Sequence, residues 1–292
     1  MGKIIVLGAS SFIGRHFCNS INPNDYLGTF NKNFAPNSLH FDLTKQKIEY
    51  LDINWDEFSH ALFLIGDTEP DSCYIDPVLS NKLNVEFMKR IINFLQSKDI
   101  HITYTSTEFV FAGSKGNYCE NDIAEPVLLY GKQKLDVENF LINYENKCIL
   151  RLAKVYGLDK QDQTIFTKWL NEIEQNKDIL CANDQYFSPV FVKDVVEICS
   201  LVIKQNITGL YHVSCGKRYC RSQLLELLIQ NLGTNETRIS YCSIDDFNLP
   251  EKRPKDVSMN SNKISAITNY KFTLPESACE KLDKTYAKNK SI

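Results

Sequence analysis

The feature that most constrains this chain is a short turn near its beginning, set between a strand pattern and a helix pattern. The apolar run KIIVL at residues 3–7 is typical of a buried strand, and residues 12–20 have helical periodicity. Between them, the stretch GASSFIG carries glycines at Gly8 and Gly14. Glycines at such a turn allow a pyrophosphate to approach the backbone and the helix N-terminus closely. The turn therefore predicts a dinucleotide-binding site.

One position of this turn departs from the glycine-rich pattern. Ser11 stands midway between the two glycines, and it adds a Cβ where the backbone should approach the ligand. Its hydroxyl could donate to a phosphate oxygen instead, whereas a plain strand–turn–helix connection is the alternative reading. The turn residues expected to contact the cofactor are Gly8, Ser10, Ser11, Phe12, Ile13 and Gly14.

Strand and helix patterns alternate through the first half of the chain. Further strand candidates lie at 26–30, 60–65, 101–106 and 148–152, and further helix candidates at 78–97 and 131–145. The strand candidates are apolar and rich in branched or aromatic residues, as buried parallel strands are. This alternation predicts an α/β fold with a Rossmann-like doubly wound parallel sheet covered by helices on both faces.

Beyond the first half, the pattern is more polar and predicts a second, smaller unit. We expect a dinucleotide-binding domain over residues 1–158, with residues 190–215 returning to its sheet. Residues 159–189 and 216–292 would form a C-terminal substrate-binding lobe, in which the polar segment 159–164 reads as a loop.

Composition excludes several classes of function. The chain has 292 residues, of which 43% are hydrophobic and 24% charged, as in a globular protein with a sizeable core. A net charge of −3 with dispersed basic residues argues against nucleic acid, and the apolar runs are too short to span a membrane. The first strand leaves no room for a signal peptide. The 10 cysteines form no C-x-x-C pair and no cluster with histidine, so we expect reduced thiols, no metal and a cytoplasmic location.

The end of the second predicted strand bears on which dinucleotide binds. An acidic residue there would accept hydrogen bonds from the ribose of NAD and repel an additional phosphate. The stretch GTFNKN instead places Asn31 and Lys32 at this point, and Lys32 could pair with a 2′-phosphate. A solvated turn lysine is the alternative. The sequence thus favours NADP, with NAD still open.

The stretch YGKQK places Tyr130 and Lys134 four residues apart, on one face of a predicted helix. A tyrosine beside a cation can exchange a proton near neutral pH, because the charge stabilises the phenolate. The same spacing to a lysine occurs at Tyr156 and Tyr286, so the pattern alone is weak. Only Tyr130 opens an amphipathic helix after a strand that ends in hydroxyl side chains, which favours it over the other two.

A series of motifs resembles the extended short-chain dehydrogenases/reductases, and within them dTDP-4-dehydrorhamnose reductase and related nucleotide-sugar 4-keto reductases. The motifs are GASSFIG, FDL at 41–43, STEFVFAG at 106–113, ENDIAEP at 120–126, YGKQK, RLAKVYG at 151–157, NDQYFSPVFVKD at 183–194 and RPKDVSMNSNK at 253–263. They cover most of the chain in the family's order. The resemblance implies reduction of a nucleotide-activated 4-keto-6-deoxy sugar by NAD(P)H, in deoxysugar or polysaccharide biosynthesis.

The resemblance also implies roles for single residues. Thr107 corresponds to the residue that hydrogen-bonds the sugar carbonyl, and Tyr130 corresponds to the proton donor. Lys134 corresponds to the lysine that holds the nicotinamide ribose and lowers the tyrosine pKa. The further cofactor residues implied are Asp42 and Leu43 beside the adenine, and Ile65, Gly66 and Asn84 near the pyrophosphate and ribose. A strand-end cap for Thr107, a loop cap for Asp42 and a packed polar group for Asn84 are the alternatives.

On the substrate side, the resemblance implies a pocket lined by Asp184 and Gln185, with Arg253 available to neutralise a diphosphate. A surface arginine is the alternative for Arg253. Glu108 and Phe109 follow the catalytic threonine, where the family has aspartate and an aromatic residue. Because phenylalanine cannot act as a base, Phe109 argues against a sugar dehydratase.

Three functions stay open at this point. The first is the reductase, the second is a nucleotide-sugar epimerase with the same tyrosine and lysine, and the third is a non-catalytic NADP-binding regulatory subunit on the same fold. The expected partner is the nucleotide-sugar substrate, and a homodimer is a further hypothesis.

Overall fold

The structure is a computed structural model that describes residues 2–233, 237–280 and 282, so that Tyr286 and the end of the predicted lobe lie outside it. The strands are β1 (Lys3–Leu7), β2 (Tyr26–Phe30), β3 (Ser38–His40), β4 (Phe58–Phe63), β5 (His101–Thr107), β6 (Lys147–Leu152), β7 (Val155–Tyr156), β8 (Ile179–Ala182), β9 (Tyr186–Phe187), β10 (Val190–Phe191), β11 (Gly209–Val213), β12 (Tyr219–Cys220) and β13 (Ile239–Cys242). The helices are α1 (Phe12–Ser20), α2 (Pro70–Ile75), α3 (Pro77–Asn81), α4 (Phe87–Ser97), α5 (Leu129–Leu141), α6 (Ile165–Glu174), α7 (Val192–Lys204), α8 (Arg221–Leu232), α9 (Asn262–Thr268) and α10 (Pro275–Cys279).

A seven-stranded parallel sheet forms the centre of the fold, in the order β3–β2–β1–β4–β5–β6–β11. The chain runs outward from β1 in one direction and from β4 in the other. The carboxyl ends of β1 and β4 therefore flank a crevice, which is where doubly wound sheets bind their ligands. The predicted α/β, Rossmann-like fold is confirmed.

Both faces of the sheet are covered by helices, as the apolar strands require. On β1, Ile4 and Val6 pack into the cluster that contains α7, whereas Ile5 and Leu7 pack into the cluster that contains α4 and α5. Side chains alternate between the faces of a strand, so a strand buried on both faces reads as a continuous apolar run. The helices α5 and α7 consequently lie on opposite faces of the sheet.

A separate apolar cluster lies beside the sheet and includes Tyr156, Phe166, Trp169 and Leu224. Its members come from residues 156–192 and from the later segment that contains α8 and α10. Two distant segments thus share one core, although the exact domain boundaries stay a prediction.

Two predicted elements differ in the structure. The single helix expected at 78–97 is preceded by α2, and its first part is divided into α3 and a π-helical turn at Lys82–Glu86 before α4 begins. Proline at the start of both α2 and α3 fits helix starts, because its missing N–H would have no helical partner there. In the predicted loop 159–164, a short 3₁₀ turn buries Asp162, whose carboxylate accepts hydrogen bonds from the His16 ring and the Asp159 N–H. Among the described residues, no helix is both long and apolar enough to cross a bilayer.

Candidate active site

The turn after β1 needs glycine at two positions. Gly8 has φ +94°, and a Cβ there would lie 2.5 Å from the carbonyl oxygen of Leu64. At Gly14, a Cβ would lie 2.2 Å from the carbonyl oxygen of Gly8. These close approaches let α1 start directly beside the ends of β1 and β4, with its first N–H groups at the crevice.

Ser11 fits this turn without strain. Its backbone is extended, with φ −67° and ψ 167°, so the position makes no demand for glycine. Its Oγ accepts a hydrogen bond from the N–H of Gly14 at 3.1 Å and so caps the N-terminus of α1. That bond leaves the hydroxyl proton of Ser11 available to donate to an anion. Of the other predicted turn residues, Ser10 is half-buried, and Phe12 and Ile13 pack against the apolar cluster beside the sheet that contains Tyr156.

The predicted adenine-side residues have different environments. Asn31 and Lys32 are exposed on the bend after β2. The Asp42 carboxylate accepts hydrogen bonds from the Thr44 hydroxyl at 2.7 Å and the Thr44 N–H at 2.9 Å, which lower the pKa of Asp42. Leu43 is buried in the core. The contacts of Asp42 are those of a loop cap, and its role beside the adenine stays a prediction.

The loop after β4, which begins at Ile65 and Gly66, is fixed by Asn84 of the π-helical turn. Gly66 has φ +127°, and a Cβ there would lie 2.8 Å from the Asn84 Oδ1. Asn84 is 2% exposed; its Oδ1 accepts from the Asp67 N–H, and its Nδ2 donates to the Asp67 carbonyl and to the Gln133 side chain. Asn84 is thus a satisfied buried polar group that ties this loop to α5.

The structure brings Thr107, Tyr130 and Lys134 together. Tyr130 lies in the first turn of α5, is 6% exposed, and lies near enough to Thr107 at the end of β5 for that side chain to lower the pKa of Tyr130. The Lys134 Nζ donates to the Thr105 carbonyl at 2.9 Å and lies 5.9 Å from the centroid of the Tyr130 ring. Thr107 also caps the next turn, since its Oγ1 accepts from the Phe109 N–H at 3.2 Å. The cap and the catalytic reading of Thr107 are therefore compatible.

Burial is the largest influence on the pKa values of Tyr130 and Lys134. Burial raises the pKa of Tyr130 above its usual value, Cys73, Asp67 and Glu69 raise it further, and the Thr107 side chain lowers it. Burial lowers the pKa of Lys134 to about 8, against the effects of Glu138 and Cys73. In this arrangement the Tyr130 pKa is thus raised, whereas the sequence led us to expect Lys134 to lower it. The neutral phenol that results is the form that donates a proton.

Glu108 and Phe109 lie next to this group. Glu108 is 3% exposed and accepts a hydrogen bond from the Lys154 N–H at 3.1 Å, and burial raises its pKa to about 8. The Phe109 ring meets the Tyr130 ring edge to face, with 6.5 Å between centroids. Phe109 thus forms an apolar wall beside the phenol.

Asp184, Gln185 and Arg253 lie in the segments predicted to form the second lobe. Burial alone would raise the Asp184 pKa, but bonds from the Lys255 ammonium at 2.8 Å and the Ser243 hydroxyl at 2.6 Å help to lower it to about 2. The Gln185 Oε1 accepts from Arg221 at 3.3 Å and is turned toward α8.

A cavity of about 600 Å³ includes Asp184 and Arg253 in its lining. Its other lining side chains include Tyr186, Arg218, Lys252 and Lys255. Four of these residues are basic, whereas Asp184 and Asp256 of the same lining are acidic and pair with Lys255 and Arg218. Positive charge still exceeds negative charge in the lining, which suits an anionic ligand.

Two contacts at this site were not predicted from the sequence. The Glu251 carboxylate accepts a hydrogen bond from the Leu129 N–H at 3.0 Å, and so holds the start of α5 from the second lobe. Below Lys134, the buried Glu138 pairs with Arg151 of β6. The spacing Tyr130–Lys134–Glu138, in which successive members are four positions apart, was the available sequence signal for Glu138.

Known proteins with similar sequences fall into two groups. Methionine adenosyltransferase 2 subunit beta of Xenopus laevis is 26% identical over 66% of this chain and 56% of its own length. dTDP-4-dehydrorhamnose reductase of Aggregatibacter actinomycetemcomitans is 23% identical over 90% of this chain and 92% of its own length. The chain thus spans about half the length of the first relative and nearly all of the second.

A solved structure of a dTDP-4-dehydrorhamnose reductase has the same fold as this chain. The crystal structure of dTDP-4-dehydrorhamnose reductase from Bacillus anthracis in complex with NADP superposes with a TM-score of 0.81. It is 19% identical and covers 96% of this chain and 98% of its own. The family model named RmlD substrate binding domain matches residues 2–286. The chain therefore belongs to the RmlD substrate binding domain family, and the resemblance to extended short-chain dehydrogenases/reductases of the dTDP-4-dehydrorhamnose reductase type is confirmed.

Proposed function

We propose that this chain is an oxidoreductase that uses NADP, or alternatively NAD, to reduce a nucleotide-activated 4-keto-6-deoxy sugar. The observation that carries the proposal is the convergence of Thr107, Tyr130 and Lys134 at the carboxyl end of β5, beside the crevice. A phenol, a hydroxyl and an ammonium are the groups that ketone reduction requires. The NADP complex of a structure with the same fold supports the choice of cofactor.

The residues present fit a dinucleotide. Gly8 and Gly14 leave no room for a Cβ, so the turn packs closely against the end of β4 and the start of α1, which places the α1 N-terminus where a pyrophosphate would approach. The N-terminus of α1 and the Ser11 hydroxyl would hold the phosphates, and the exposed Lys32 would meet a 2′-phosphate. Lys134 would hold the nicotinamide ribose. When bound, the reduced nicotinamide supplies a hydride to the carbonyl carbon of the substrate.

The chain's own residues would manage the oxygen of that carbonyl. Thr107 would hydrogen-bond the oxygen and orient it, and Tyr130 would donate its phenolic proton as negative charge develops there. The Lys134 ammonium would stabilise the phenolate that remains until it is reprotonated. Phe109 would keep water from the phenol on one side. The products are the nucleotide-linked sugar with a hydroxyl group at C4 and the oxidised cofactor, with one hydride and one proton transferred.

The cavity in the second lobe would take the nucleotide diphosphate. Arg218, Lys252 and Lys255 would provide positive charge for the phosphates. Arg253, which pairs with Asp71 by an Nη2–Oδ1 contact of 2.5 Å, would reach the same anion from the lining of the cavity. Asp184 would orient Lys255 rather than contact phosphate.

A second candidate function has its own support. A relative named as a subunit of methionine adenosyltransferase aligns with 66% of this chain, which favours a cofactor-binding regulatory subunit as the rival. Such a subunit has no need of a proton donor beside Thr107 and Lys134, and for this reason we place the reductase first. We further propose a cytoplasmic location and a homodimer.

One assay separates the two candidates. The pure protein is mixed with NADPH and a panel of nucleotide-linked 4-keto sugars, and the loss of nicotinamide absorbance is followed. The reductase predicts turnover of at least one sugar. Tight NADPH binding without turnover of any sugar would favour the regulatory subunit, and a pull-down for a partner protein would then replace the kinetic assay.

A further inference from the structure

A third polar side chain, that of Glu138, continues the stripe that Tyr130 and Lys134 begin on α5. Glu138 follows Lys134 by four residues, so all three side chains lie on one face of the helix. That face packs on the sheet, and Glu138 is only 2% exposed. A carboxylate so deeply buried needs partners that are strong hydrogen-bond donors.

The partners of Glu138 hold it in one position. The Arg151 Nε lies 3.1 Å from both carboxylate oxygens, and its Nη2 lies 2.6 Å from Oε2. The Ser106 hydroxyl donates to Oε1 from the neighbouring strand. Arg151 and Ser106 are each 4% exposed. A forked, charge-assisted contact of this kind holds the carboxylate in one place.

Stability alone is a weak reason for such a pair. Removing two charges from water costs about as much as their attraction returns, and apolar side chains of similar volume often serve equally well. The pair lies one helical turn from Lys134, an ammonium that is itself 5% exposed. The position of Glu138 therefore suggests a role toward that ammonium.

Several groups besides Glu138 surround the Lys134 ammonium. The Tyr104 ring of β5 lies with its centroid 4.7 Å from Nζ, and the Thr105 carbonyl accepts a hydrogen bond from it. Other titratable groups act on this centre from the elements packed against it. They are Tyr104 of β5, Cys73 of α2, Asp67 and Glu69 of the loop after β4, and Tyr130 of α5 itself. Arg151 of β6 is the charged partner of Glu138. Burial favours the neutral amine, and the Glu138 carboxylate is the largest influence in the other direction.

We propose that Glu138 is a positioning residue that keeps Lys134 charged and directed toward Tyr130, while Arg151 and Ser106 hold the carboxylate in place. The inference deepens the proposed function and rests on it, because a charged Lys134 matters only if this site handles a cofactor and a proton. Glu138 itself would contact neither cofactor nor substrate.

The test compares four variants, of which two remove the carboxylate near Lys134 and two keep it. Glu138→Gln removes the carboxylate but leaves Arg151 buried and unpaired, which can prevent folding. Glu138→Gln combined with Arg151→Met removes both charges and avoids that penalty. Glu138→Asp keeps the charge. Asp194→Asn is the matched control, since it neutralises a carboxylate that is 2% exposed, on α7 at the opposite face of the sheet.

The first readout is the pKa of Lys134, measured by NMR on protein with ¹³C-labelled lysine and assigned with Lys134→Arg. The second is the pH dependence of NADPH affinity. Both are made without a sugar substrate, so that failure of the reductase assay and failure of this inference can be told apart.

We expect the pKa of Lys134 to fall in the folded Gln/Met double variant, because the lost carboxylate lies one helical turn from Lys134, although loss of the Arg151 guanidinium offsets part of the fall. The pH at which NADPH affinity declines should fall by a similar interval. Glu138→Asp should keep the Lys134 pKa and the pH dependence of NADPH affinity close to those of the parent protein, and Asp194→Asn should change neither. An unchanged Lys134 pKa in the folded double variant would overturn the proposal, as would an equal fall in Asp194→Asn.

Discussion

Arg253 of the second lobe forms an ion pair with Asp71 at the start of α2, across 182 residues of sequence. The Arg253 side chain is 10% exposed, whereas that of Asp71 is 41% exposed. The contact joins the lining of the basic cavity to α2, the helix that follows the loop after β4. An anionic ligand in the cavity would compete with Asp71 for the same guanidinium.

If the ligand and Asp71 compete for Arg253, substitutions of these two residues should change ligand affinity in opposite directions. Arg253→Ala should weaken binding of a nucleoside diphosphate by about tenfold or more, as loss of a charged hydrogen bond implies. Asp71→Asn should strengthen it, because the guanidinium is then free of its carboxylate. Calorimetric titration with dTDP measures both. The idea fails if Arg253→Ala leaves the affinity unchanged.

The N-cap at Ser11 predicts separate effects on stability and on cofactor binding. Ser11→Ala should lower the free energy of unfolding by about 1 kcal/mol, while Ser11→Gly should cost only a few tenths. Ser11→Gly should keep or improve NADPH affinity, because glycine restores the common pattern of the turn. Urea denaturation and NADPH titration measure the two quantities. A large loss of affinity in Ser11→Gly would mean that the hydroxyl makes an essential bond to phosphate.

Lys32 offers a test of cofactor preference. Lys32→Ala should weaken NADPH more than NADH, since only NADPH carries the 2′-phosphate. Lys32 is exposed, so added salt should narrow the difference in the wild-type protein. Parallel titrations with both cofactors at low and high salt measure this. Equal losses for NADPH and NADH would remove Lys32 from the proposed contact.

Because two histidines are buried, we expect the free energy of unfolding to decrease in acid. Burial lowers the pKa of His101 to about 4 and that of His212 to about 3, both below the value of about 6.5 for a free histidine. A depressed pKa means that the folded state resists a proton which the unfolded state accepts. The stability present above about pH 6.5 should therefore decline as pH falls toward 4. Urea denaturation across this range should show a shallower decline in His101→Gln than in the parent.

Local sequence explains how much of the site could be predicted. The need for Gly8 and Gly14 follows from a turn of seven residues, and Tyr130 and Lys134 share a face because they are four apart on one helix. These relationships depend mainly on local backbone geometry, since the φ of +94° at Gly8 and the contact of Gly14 with the Gly8 carbonyl both lie within the turn. The approach of Leu64 to Gly8 is the long-range part. The strand boundaries of β1 and β2 were predicted for the same reason, since their apolar runs end at turn residues.

Long-range contacts explain what could not be predicted. The Glu251 carboxylate meets the Leu129 N–H across 122 residues, and the Arg253–Asp71 pair spans more. Nothing in the neighbouring residues of either partner specifies the other. The upward shift of the Tyr130 pKa was missed likewise, because the degree of burial depends on how α2 and β5 pack around the phenol.

The most direct measurement of the central claim is the turnover of Tyr130→Phe on a sugar that the parent protein reduces. The change removes one hydroxyl from a ring that packs against Phe109, so folding and NADPH binding should persist. Turnover should fall by about two to four orders of magnitude, the usual contribution of a positioned acid. Tyr156→Phe is the control, since Tyr156 also precedes a lysine by four residues but lies fully buried in the apolar cluster beside the sheet. It should leave turnover nearly unchanged. Full activity of Tyr130→Phe would contradict the account, because the proton would then come from another group.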